Sequence, residues 1–168
     1  QFKLGSLYLT GNGVQQNPYK AAEWFYKAAE QGDSRALSEL RKVAEQGTSD
    51  AMQYLGLMYL NGKGVPQDYN KAARWFMKVL KQGNSDGMSG LRTTADRGNS
   101  LAQNYLGIIY GNGQGVEMDL AQAVSWFRKA AAQGDGWAQA NLGISYEKGL
   151  GVAQDYAQAI EWYKMSAK

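Results

Sequence analysis

Apolar residues recur along the chain at the spacing of helices. Ala51, Leu55, Gly56 and Tyr59 fall at i, i+4, i+5 and i+8, which lines them along one face of a helix turning about 100° per residue. The pair Gly62 and Gly64 ends that pattern at backbone positions where a Cβ is costly. A second stripe follows, made of Ala72, Trp75, Phe76 and Val79. Asp68 stands where its N-cap should be, and Gly83 of the Gln82-Gly83 pair is a natural residue to close it. The pattern predicts two helices, A and B, packed by these stripes.

The same arrangement returns three more times. Its marker glycines Gly5, Gly56, Gly107 and Gly143 stand 51, 51 and 36 residues apart, so two kinds of unit are present. Asn17, Asp119 and Asp155 match Asp68 as N-caps, and Pro18 sits at N1 of the first helix B. The remaining stretches, Asp33–Gly47 and Asn84–Gly98, each hold one helical period with no internal glycine turn. Ala36, Leu40, Val43 and Ala44 mark the first, and Met88, Leu91 and Ala95 the second, where Gly87 and Gly90 each cost about 1 kcal/mol relative to Ala. One solenoid domain results: a partial repeat at 1–32, short units at 33–47 and 84–98, and full repeats at 48–83, 99–134 and 135–168. Ten helices are expected. Gln1 falls inside a helix A, so the chain reads as a section of a longer array.

The motif A-x-x-x-L-G-x-x-Y-x-x-G-x-G-V-x-x-D-x-x-x-A-x-x-W-[FY]-x-K-A-A-x-Q-G, read from Ala102–Gly134 and again from Ala138 onward, resembles the Sel1-like repeat, a relative of the tetratricopeptide repeat. The resemblance implies an all-α fold, a right-handed αα-superhelix, used as an adaptor for protein complexes in bacterial signalling, secretion, envelope and host-interaction systems. The short units depart from the family pattern. In a plain solenoid one extra helix would invert the next helix A, yet the core positions Ala51, Leu55 and Tyr59 match Ala138, Leu142 and Tyr146. The short helices are therefore expected to cross their neighbours steeply, bending the array and widening a groove beside Leu40 and Leu91.

Composition narrows the function. With 44% hydrophobic and 20% charged residues the chain can fold around a continuous core. Neither cysteine nor histidine occurs, which removes disulfides, thiolate zinc sites and every constellation built on a histidine base. No run of about 18 apolar residues exists, so no membrane insertion is expected. The net charge of +3 reads as spread through the chain and not clustered into a Lys/Arg block, and no nucleic-acid partner is expected. Localisation stays open between the cytoplasm and the periplasm or exterior of a bacterium.

Several motifs invite chemistry. The four Gly-x-Gly-Val turns could cradle a phosphate, but each follows a helix, and three of them precede an acidic N-cap, Asp68, Asp119 or Asp155, that would repel an anion. Asp68, Asp119 and Asp155 recur with the repeat, so they read as caps and not as the close carboxylate pair that glycoside hydrolysis needs. Trp24, Trp75, Trp126 and Trp162 share one repeat position and read as inter-helix core, with an aromatic platform as the alternative. Trp137 lies outside that register and is a candidate partner anchor.

No catalytic, metal or cofactor site is expected, and the chain is read as not an enzyme. The expected role is a monomeric scaffold that binds a peptide or a partner domain on its concave face. A glycan, cell-wall or host-ligand module is the alternative, and a hydrolase a distant one. Helical phase places the candidate partner-binding residues opposite the helix-A core: Gln53, Tyr54, Leu57 and Asn61; Asn104, Tyr105, Ile108 and Asn112; Trp137, Asn141, Ile144 and Lys148. Aromatic and amide side chains offer large area with adaptable hydrogen bonds.

Overall fold

The structure, a computed structural model, describes residues 1–168 and contains ten helices and no strand. They are α1 (Phe2–Thr10), α2 (Pro18–Ala29), α3 (Ser34–Glu45), α4 (Ser49–Asn61), α5 (Tyr69–Lys81), α6 (Asp86–Asp96), α7 (Ser100–Asn112), α8 (Leu120–Ala131), α9 (Gly136–Lys148) and α10 (Tyr156–Ser166). Two compact units divide at Leu91 and Arg92, within α6. In the first, α1 packs on α2, α4 on α5, and α2, α3 and α4 on one another; in the second, α7 packs on α8, α8 on α9 and α9 on α10.

The expected caps fix where helices begin. Asn17, Asp68, Asp119 and Asp155 accept from the backbone N–H groups of Lys20, Lys71, Gln122 and Gln158 at 2.8–3.0 Å, satisfying donors that a helix start leaves open. Helix A of each repeat ends on a glycine in the left-handed region, Gly62 with φ 69° among them.

The knob that joins the two helices of a repeat is the second aromatic of each pair. Phe25, Phe76, Phe127 and Tyr163 lay their rings on Gly5, Gly56, Gly107 and Gly143, so closely that a Cβ on any of these glycines would stand 2.4–2.7 Å from a ring carbon. Phe25 and Phe76 are fully buried. The preceding tryptophans were expected in the core, and for two of them this is corrected: Trp126 is buried and Trp162 packs on the core cluster around Phe127 and Leu142, but Trp24 and Trp75 are only half-buried, with Lys27 and Lys78 over their rings. One residue ahead of the knob, the tryptophan position is turned about 100° from the seam, so its burial varies from repeat to repeat.

The short helices take the place of a helix B. Arg41 on α3 donates to Tyr59 Oη on α4 at 2.9 Å, Arg92 on α6 to Tyr110 on α7, and Arg128 on α8 to Tyr146 Oη on α9 at 2.9 Å. Gln103 Nε2 donates to the Ala95 carbonyl at 3.0 Å as Gln139 Nε2 does to that of Ala131 at 3.3 Å. Leu40, Leu91 and Phe127 thereby occupy one register position. A helix A meets the same partners after a short unit as after a full one, which is why its core residues match. The groove expected beside Leu40 and Leu91 is corrected too: both are fully buried and offer a partner no surface.

Candidate functional site

Four of the twelve candidate residues converge. Ile108 and Asn112 of α7 and Asn141 and Ile144 of α9 line a groove of about 260 Å³ in the second unit, with Phe127, Ala123 and Leu120 of α8 and Leu150 beyond α9. Ile108 also packs on the core cluster around Phe127 and Leu142. Asn141 Nδ2 donates to Asn104 Oδ1 at 3.0 Å, and Ser145 Oγ to the Asn141 carbonyl at 2.9 Å, so the polar rim is held in place by its own hydrogen bonds. No ionisable side chain lines this groove. It can bury an apolar group and offer amides to a backbone, but it supplies no proton donor or acceptor for acid–base chemistry.

The third repeat departs from the others at two positions, and the first of them, Gly111, lines the groove. Gly111 stands where α4 has Leu60, which is buried, and where α1 and α9 have Leu9 and Glu147. In those three repeats a glutamine closes the turn after helix A: Gln16, Gln67 and Gln154 donate to the carbonyls of Leu9, Leu60 and Glu147 at 2.8–2.9 Å. Met118 replaces that glutamine in the third repeat and is exposed. Gly111, Leu120, Ala123, Phe127, Ser145 and Leu150 were missed by helical phase alone. Comparing the repeats at Leu60 and Gly111 was the signal that could have found the groove.

The other candidates lie elsewhere. Asn104 was expected to be exposed and is buried at 3% exposure, because its side chain turns in to meet Asn141. Tyr54 was expected to be free and instead stacks on Tyr26 of α2, with ring centroids 4.5 Å apart and planes 9° apart. Burial pushes the Tyr54 hydroxyl above the ordinary phenol range, and the charges of Glu23 and Asp50 add to the shift. Tyr26 is raised as well, first by burial and then by its hydrogen bond to Glu30 at 2.7 Å. Gln53, Leu57 and Tyr105 are half-buried, while Asn61 and Lys148 are exposed. Trp137, at the start of α9, is 78% exposed and stands outside the groove.

Three of the tryptophan rings are already occupied. Lys27, Lys78 and Lys129 hold their Nζ atoms 4.7, 4.1 and 4.1 Å from the ring centroids of Trp24, Trp75 and Trp126. This Trp-x-x-Lys contact covers the faces that a sugar or a base would stack on.

The family model for the Sel1 repeat matches residues 1–33, 49–84, 100–135 and 138–168. The chain belongs to the Sel1 repeat family. The two long stretches that the Sel1 matches pass over, 34–48 and 85–99, hold α3 and α6. Sel1 repeats generally mediate protein–protein interaction and form a non-catalytic scaffold. Among solved structures, the chain is similar to c5321, a protective antigen of uropathogenic Escherichia coli strains, at 30% identity and TM-score 0.48 over 99% of this chain and 44% of that one. It is similar to a Sel1 repeat protein of Oxalobacter formigenes at 33% identity and TM-score 0.47, over 99% of this chain and 60% of that one. A third is the immunity protein Pa5087 of Pseudomonas aeruginosa, at 23% identity and TM-score 0.38 over 86% and 64%. The chain thus spans less than two thirds of each relative's length. None of the curated proteins compared with it matches. No helix is long and apolar enough to cross a membrane.

Proposed function

We propose that this chain is a non-catalytic scaffold that binds a peptide or partner domain, seating an apolar side chain of that partner in the groove between α7, α8 and α9. The observation that carries the reading is the meeting of Ile108, Asn112, Asn141 and Ile144 around a hole that Gly111 leaves open. An apolar floor with a few fixed amides is the usual make-up of a binding cleft: burial supplies affinity and the amides set orientation. Each fully buried Leu- or Ile-sized side chain contributes about 1.5–3 kcal/mol before ordering costs.

Gly111→Leu tests this directly, since it copies what α4 has at Leu60. A Cβ at Gly111 meets only Ala123 Cβ, at 3.6 Å, so the fold has room for it. Peptides selected from a random displayed library against the native chain are expected to carry a large apolar anchor. They should lose at least about tenfold in affinity to the Gly111→Leu protein, whose melting temperature stays within a few degrees. Equal affinity for both proteins would place the binding surface elsewhere.

A further inference from the structure

The chain's net charge is +3, and one helix accounts for all of it. α5 carries Lys71, Arg74, Lys78 and Lys81 and no acidic residue, so the remainder of the chain is −1. Their spacing of i, i+3, i+7 and i+10 confines the four to a sector of about 80° at 3.6 residues per turn, in a row about 15 Å long. All four are exposed. Lys71 meets the N-cap Asp68 at 3.1 Å and Lys78 lies over Trp75. Arg74 and Lys81 have no carboxylate partner.

The repeats supply the control for this row. At the four equivalent positions the first repeat has Lys20, Glu23, Lys27 and Glu30, with Glu23 paired to Lys27 at 2.6 Å and Glu30 facing Lys63 at 3.5 Å. In the third repeat the positions hold Gln122, Ser125, Lys129 and Ala132, and in the fourth Gln158, Glu161, Met165 and Lys168. The fold itself therefore needs no cation at Arg74 or Lys81. Like charges one turn apart weakly destabilise a solvent-facing helix, whereas Lys78 and Lys81 in the last turn of α5 gain from the helix dipole, so Arg74, one turn from both Lys71 and Lys78, is the cation that helix stability explains least.

We propose that the exposed face of α5 is a second docking surface, which binds an acidic segment of a partner protein through Lys71, Arg74, Lys78 and Lys81. Charge complementarity selects the partner: carboxylates at helical spacing match the row, and Arg74 offers a planar fork for a bidentate contact. A single-stranded nucleic acid would also want a free aromatic face, and Lys78 covers Trp75. This surface lies in the first unit and does not rest on the groove in the second.

The test uses the double variant Arg74→Glu and Lys81→Glu, which restores the charge order of the first repeat and should melt within a few degrees of the native chain, since the new opposite-charge pairs at i,i+3 and i,i+4 offset the anion placed at the end of α5. The probes are a synthetic helical peptide with Glu at i, i+3, i+7 and i+10, its Gln counterpart, a single-stranded oligonucleotide and phosphatidylserine vesicles. The native chain is expected to bind the Glu peptide at least about tenfold more tightly than the Gln peptide, more weakly as salt rises, and the variant to lose that preference. Equal binding of the Glu peptide by variant and native chain would overturn the proposal. So would tighter binding of the oligonucleotide or the vesicles than of the Glu peptide.

Discussion

Phe76→Ala is expected to lower stability by about 3–5 kcal/mol in urea unfolding, while Trp75→Ala, one residue away, should lose no more than about 1–2 kcal/mol. The two differ in what surrounds them. The Phe76 ring is 1% exposed and fills the space that Gly56 on α4 and Gly90 on α6 leave free, so its removal opens a cavity that neither backbone can collapse into. Trp75 is half-buried, and its ring face looks toward Lys78 and water. Its loss removes a cation–π contact and part of a hydrophobic surface, not a packed centre. Comparable losses for the two variants, or a larger one for Trp75, would return the tryptophan to the core.

The sequence made the repeat legible because three signals coincide there: helical periodicity, glycines at helix ends and capping side chains at a fixed offset. Asn17, Asp68, Asp119 and Asp155 all cap as their positions imply. The roles within the Trp-Phe pair were not legible, since both residues are large and apolar, and adjacent positions differ by a rotation that the repeat motif does not fix. Phase also placed Asn104 on the exposed side, where a short amide can still turn inward once Asn141 offers it a partner. The groove escaped notice for a different reason: it is made by a missing side chain at Gly111, whereas a search for binding residues looks for side chains that are present. The basic row escaped because its four cations are separated by Ala, Trp, Phe, Met, Val and Leu along the chain and join only on the helix surface.

Gly90→Ala reverses the sign that helix propensity alone assigns. Within an isolated helix the change should stabilise by about 1 kcal/mol. In the protein a Cβ at Gly90 would stand 2.3 Å from Phe76 Cε1, and one at Gly87 would stand 2.5 Å from the Phe76 carbonyl oxygen and 2.9 Å from Leu80 Cγ. Overpacking of this kind costs about 1–3 kcal/mol and exceeds the propensity gain, so Gly90→Ala should lower the unfolding midpoint. Gly87→Ala should lower it further, because the atom in its way belongs to a helix backbone instead of a ring that can tilt. Phe76→Leu, which removes the ring carbon that the new methyl meets, separates packing from any other cause. The double variant Gly90→Ala with Phe76→Leu is expected to be more stable than the sum of the single losses implies, by about 1 kcal/mol or more. Additive losses, or a Gly90→Ala protein more stable than the native one, would mean that α6 does not lie against Phe76 at this distance.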